Sequence, residues 1–214
     1  MNIEIWADVV CPWCYIGKRN LDAALDLFAH RDQIDVIWRS FELDPSVAKD
    51  DGRAVVDVLA EKYGTSVEEV LVSQARVTAL GERVGIAFAL DLTRNVNSFD
   101  AHRLVQFSAK FGVQSALVER LYAAHFAEGL RIDDHVVLAT CAQEVGIDID
   151  EATDVLASNA YADDVRISES TAQEIGVRGV PFFVIDRKYA VSGAQPQEIL
   201  LDVLNEAWEA QDAN

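Results

Sequence analysis

Cys11-Pro12-Trp13-Cys14 are the residues of this chain best placed to do chemistry. Two thiols with two residues between them can close a small disulfide ring, giving up or taking back two electrons. An apolar strand-like run, Ile3-Glu4-Ile5-Trp6-Ala7-Asp8-Val9-Val10, leads into them, and a helix-like run from Tyr15 to Leu25 follows. That junction places Cys11 at a helix N-terminus, where free backbone N–H groups and the helix dipole favour negative charge. A thiol there is favoured as the thiolate, its nucleophilic form. The competing reading is half of a tetrahedral zinc site. It would draw on Cys141 and on His30, His102, His125 or His135, none of which pairs at ligand spacing. Cys141, within Val136–Ala142, reads instead as a small buried hydrophobe on a helix.

The elements that must hold this pair can be read from the pattern of apolar residues. A first strand covers about 2–8, a helix runs on to about Ala29, and a second strand spans Ile34–Leu43 with Ile34, Val36 and Trp38 on one side. From Ala54 to Gly176 helical periods dominate: Ala54–Tyr63, Val67–Val84, Phe99–Phe111, Ser115–Ala127, Asp134–Val145, Glu151–Leu156 and Ala162–Ile175. Glycines punctuate their ends, the position a left-handed C-terminal residue prefers. Residues 180–186 and 189–192 then read as a β-hairpin, and Pro196–Ala210 as an amphipathic helix. An α/β core interrupted by a helical block is expected. Residues 1–45 and 159–214 form the core; 46–158 form the helical insertion.

The chain has 214 residues, half of them apolar, enough for one substantial core. Eighteen Lys and Arg against 36 Asp and Glu give a formal charge of −18. Such a surface is repelled by phosphate backbones and anionic membranes, so neither nucleic acid nor membrane is expected as a partner. Adjacent acids at Asp50-Asp51, Asp133-Asp134 and Asp163-Asp164 lack calcium-loop spacing and read as solvated helix starts. No basic start followed by an apolar stretch marks a secretory signal, and no run of roughly 18 apolar residues marks a membrane span. A cytoplasmic location is expected. In a reducing compartment a close cysteine pair points to catalysis or metal binding rather than to a structural staple.

Four segments carry a resemblance over essentially the whole chain: Asp8-Val9-Val10-Cys11-Pro12-Trp13-Cys14-Tyr15-Ile16-Gly17, Phe41-Glu42-Leu43, Asn97-Ser98-Phe99-Asp100-Ala101-His102-Arg103 and Gly176-Val177-Arg178-Gly179-Val180-Pro181-Phe182-Phe183. The chain resembles the thioredoxin-fold oxidoreductases of the DsbA superfamily, in particular the FrnE-like branch. That branch is kin to 2-hydroxychromene-2-carboxylate isomerases and kappa-class glutathione transferases. The resemblance implies a thioredoxin-like fold with a helical insertion ahead of the cis-Pro strand. Those isomerases and transferases carry Ser where this chain has Cys11, so the retained pair favours a protein dithiol–disulfide couple.

In that frame Cys11 is the attacking, more exposed sulfur and Cys14 the buried one that resolves the mixed disulfide. Trp13 stands where the strongly oxidising members have a thiolate-stabilising His, so the potential is expected between about −270 and −120 mV. With Pro12, Trp13 borders the substrate. Val180 is expected to bond an extended substrate chain through its backbone, beside a cis Pro181. Asn97, Ser98 and His102 either serve a helix start or border the cleft, as the kin imply. No metal or organic cofactor is required. Protein or peptide thiols and disulfides are the expected partners, with glutathione or thioredoxin recycling the pair and the chain a monomer or homodimer. Two alternatives stand: a glutathione-dependent isomerase or transferase acting on aromatic or hydrophobic small molecules, and a non-enzymatic helical module with a vestigial thiol pair.

Overall fold

A computed structural model describes residues 1–212. Strand β1 (Asn2–Ala7) leads into helix α1 (Pro12–Leu27) and strand β2 (Asp35–Ser40). Six helices follow: α2 (Val55–Tyr63), α3 (Val67–Arg83), α4 (Phe99–Ser108), α5 (Gln114–Phe126), α6 (His135–Glu144) and α7 (Ile149–Ala157). Helix α8 (Ala162–Glu174), strands β3 (Phe182–Ile185) and β4 (Tyr189–Ser192), and helix α9 (Gln197–Asp212) complete the described chain.

The four strands form one mixed sheet in the order β2-β1-β3-β4. β1 runs parallel to β2 and antiparallel to β3. As the central strand β1 is buried on both faces, which its near-continuous apolar run encodes. Ile3, Ile5 and Ala7 enter the main core with α1, α4 and α5. Trp6 points to the other face, packs with Ala172 and Val177, and donates its Nε1–H to the Ser168 carbonyl at 2.9 Å.

Local signals set several helix ends. Ser66 and Glu69 form a reciprocal capping box on α3, and Asp134 and Asp148 cap α6 and α7. Asp163 and Asp164 lie in the first turn of α8. The Asp50-Asp51 pair departs from expectation. It starts no helix; Asp51 ties Arg53 to Asn95 across a loop. β2 also stops short of Leu43, after the Ala7–Ser40 pair. The chain bends there because the Leu43 N–H leaves the ladder for Asp8 Oδ2, 2.7 Å away.

Candidate active site

The central strand ends at Ala7, and Asp8 turns the chain back on itself: the Cys11 N–H donates to the Asp8 carbonyl at 3.1 Å. Cys11 is the N-cap of α1, in extended backbone conformation, with Pro12 in the first turn, where a missing N–H costs nothing. The N–H groups of Cys14 and Tyr15 both point at the Cys11 carbonyl, at 3.0 and 3.3 Å. Cys11 and Cys14 are 4% and 1% exposed, so the difference expected between the two sulfurs is slight. Trp13, at 43%, is the exposed residue of the motif. Burial, then the hydrogen bond with Cys11, pushes the Cys14 thiol well above its ordinary range. Cys14 therefore stays protonated at neutral pH until a base takes its proton.

The second half of the site arrives some 170 residues later. The Val180–Pro181 peptide bond is cis, and the Cys11 thiol lies 3.9 Å from the Val180 carbonyl oxygen. Gly17 lets α1 come this close. A β-carbon built there would sit 2.8 Å from Pro181 Cγ, inside any real carbon contact. The pairing of Trp6 with Phe182 fixes this loop beside the end of β1.

Beneath the sulfurs lies a buried polar network. Asp8 is fully buried. Its Oδ1 accepts from the Val10 N–H at 3.3 Å and faces His102 Nε2 at 3.2 Å. Its backbone bonds the Cys14 thiol, and its carbonyl accepts from the Tyr122 hydroxyl at 3.4 Å. Tyr15, next to Cys14, stacks on Tyr122 with ring centroids 4.8 Å apart, joining α1 to α5. Farther out, burial raises the Glu42 carboxyl, which the Arg166 guanidinium meets at 2.5 Å. Among the described residues no group of three His, Cys, Asp or Glu side chains stands close enough to hold a metal ion.

Above the sulfurs is a cleft of about 510 Å³, a typical size for a ligand site. Cys11, Pro12 and Trp13 form its floor, and α2, α3 and the 90–98 loop overhang it. Its walls are largely apolar, including Val58, Leu59, Val77 and Phe126. Asp44 and Lys62 pair at 3.1 Å on its wall. Ser98 lines the cleft. Asn97 and His102, expected beside it, stand behind it instead. Asn97 donates to the Val47 carbonyl and accepts from the Phe99 N–H, while His102 faces Asp8. The wall also contains His125, an isolated histidine in the sequence. Asp8 lies in the segment that carries the resemblance, which assigns it no role. Asp8 meets His102, 94 residues away, and His125 reaches the cleft only through the fold, and no local pattern reports either.

A thioredoxin-like sheet, a CxxC pair at a helix start and a cis-proline loop beside it define a thioredoxin-fold dithiol protein. Residues 2–205 match the DSBA-like thioredoxin domain, and the chain belongs to this DsbA-like oxidoreductase family. Among solved structures it is similar to a probable DsbA oxidoreductase from Streptomyces coelicolor, with 42% identity, 98% of this chain and 90% of that chain covered, and a TM-score of 0.93. It shares its fold with 2-hydroxychromene-2-carboxylate isomerase (18% identity, 100% and 98% covered, TM-score 0.74). The cytosolic disulfide reductase DsbM from Pseudomonas aeruginosa also has this fold (20% identity, 98% and 100% covered, TM-score 0.71). The uncharacterized protein YwbO of Bacillus subtilis is 24% identical over 187 residues, 86% of each chain. No helix among the described residues is long and apolar enough to cross a membrane.

Proposed function

We propose that this chain is a thiol–disulfide oxidoreductase or isomerase acting on protein or peptide disulfides through Cys11 and Cys14. As a reductase, the Cys11 thiolate attacks one sulfur of the substrate disulfide. A mixed disulfide forms and one substrate thiolate leaves. Cys14 then gives up its proton and attacks the Cys11 sulfur. The ring closes and the second substrate thiol leaves with the two electrons transferred. Oxidation of a substrate dithiol is the same sequence reversed. Asp8, whose buried carboxylate acts on the Cys14 thiol through its charge, is the group we assign as proton acceptor in this second step.

The observation that carries this reading is the 3.9 Å approach of the Cys11 thiol to the Val180 carbonyl, at the floor of a cleft. A substrate chain docked on that carbonyl is held beside the nucleophile. The core of residues 1–45 and 159–214 then supplies the redox couple, and the helices of 46–158 supply the cleft. A cytoplasmic location, and recycling by glutathione or thioredoxin, fit a catalyst of this kind.

The enclosed cleft favours a second reading, a glutathione-dependent isomerase or transferase for aromatic or hydrophobic small molecules. Cys11→Ser separates the two. Loss of insulin reduction and of scrambled-disulfide reshuffling, to below about a hundredth of the native rate, supports the first. Glutathione-dependent turnover that survives the substitution overturns it.

A further inference from the structure

His125 is at odds with the apolar wall around it. It sits on α5 one turn beyond Tyr122, is 2% exposed, and lines the same cleft as Cys11. Its ring bonds the Leu130 backbone, but its Nδ1 is buried with no hydrogen-bond partner. Burial holds its pKa down at about 4, so the ring is neutral at any ordinary pH. A neutral imidazole has one N–H and one bare lone pair. A buried lone pair left without a donor destabilises the fold, and an apolar residue of similar shape would avoid that. Within a cleft that must take up a substrate, such an acceptor is satisfied when the substrate supplies the hydrogen.

We propose that His125 determines substrate specificity, accepting a hydrogen bond from an O–H or N–H on the group that Cys11 takes up. This deepens the oxidoreductase reading and rests on it. The substrate class it defines is a disulfide or thiol with an apolar, preferably aromatic, body and a hydrogen-bond donor at its far end. A cysteine peptide with a tyrosine or tryptophan beside the half-cystine has this chemistry. The overhang of α2 and α3 admits such a group from a small or unfolded chain, and blocks it when it is packed inside a folded protein.

The test uses a matched pair of probes, bis(4-hydroxyphenyl) disulfide and bis(4-methoxyphenyl) disulfide. Reduced protein reacts once with each: the two cysteine thiols give two electrons to the aryl S–S bond and two protons to the departing aryl thiols. The released thiols are followed by absorbance. The native protein is expected to prefer the hydroxyl probe by about tenfold, the size of one hydrogen bond made in a dry site. His125→Phe is expected to level the two rates. A second measurement leaves His125 in place. With each aryl group trapped on Cys11 in the Cys14→Ser protein, the Nδ1 nitrogen resonance of His125 should shift with the hydroxyl probe and stay put with the methoxy probe. Equal native rates, a preference that survives in folded His125→Phe, or a resonance indifferent to the hydroxyl would each overturn the proposal. If neither probe oxidises the native protein faster than Cys11→Ser, the oxidoreductase reading itself fails.

Discussion

Gly17→Ala sets two effects against each other. Alanine is the better helix former by about 1 kcal/mol, so on α1 alone the change would stabilise. Its new methyl, however, would lie 2.8 Å from Pro181 Cγ, and 3.4 Å from Pro181 Cβ and Phe183 Cζ. Carbon atoms prefer about 3.5–4.0 Å, so the proline ring must retreat by about 1 Å. Forcing a methyl into a packed interior costs about 1–3 kcal/mol. We expect a net loss near 1 kcal/mol, or about 3 °C in Tm for a chain of this size. Activity should suffer more. Pro181 follows the carbonyl that lies 3.9 Å from the Cys11 thiol, and a misplacement of 1 Å at a reacting centre can lower the rate about a hundredfold. Thermal melts and single-turnover reaction with a peptide disulfide measure both quantities. A variant that melts higher than the native protein and reacts at the native rate would refute the close approach.

Acid should unfold the protein in two stages. Burial holds His125 at about 4 against an ordinary 6.5, so the unfolded chain takes up that proton first. Stability is therefore lost as the pH falls from about 6.5 to 4, by up to about 3 kcal/mol. Burial alone would raise Asp100, yet hydrogen bonds from Lys49, His135 and Arg103 outweigh it and hold its carboxyl at about 2. Its contribution is present above pH 3.8 and disappears toward pH 2. Urea unfolding across this range checks both, and a flat profile between pH 6.5 and 4 would contradict the first. Asp8→Asn should still form the mixed disulfide but resolve it about a hundredfold more slowly; quenched-flow trapping of the intermediate reads this directly. Arg103 clasps the carbonyls of Val155, Ser158 and Ala160 and pairs with Asp100 at 2.8 Å. Arg103→Met should lower the unfolding free energy by about 3 kcal/mol, seen as an earlier urea midpoint, while the freshly purified protein keeps its redox chemistry.

How much was visible in the sequence depended on how local each signal was. The strand before Cys11, the helix after it, the capping acids and the β-hairpin are written in short stretches, and the structure has them within a few residues. The proline loop was legible through the family resemblance, whose fold places a cis proline ahead of a hairpin. Asp8 and His102 were not, since their pairing spans 94 residues and closes only when α4 packs under the sheet. The expected β2 runs three residues too far at its C-terminal end for the same reason. Phe41-Glu42-Leu43 has strand-forming residues, but its last N–H is drawn to the Asp8 carboxylate just past the end of β1. His125 stands on a helix that looks like plain core, and only the fold shows that it lines the cleft.

The two halves of the sulfur chemistry are mounted on neighbouring strands, whereas helix α2 has no buried residue and rests chiefly on α3. Warming should therefore soften the roof before it disturbs the floor. Just below the global melt, the protein would still exchange sulfur bonds, but with bulky partners it had refused when cool. Discernment fails first, and reactivity only when the sheet itself comes apart.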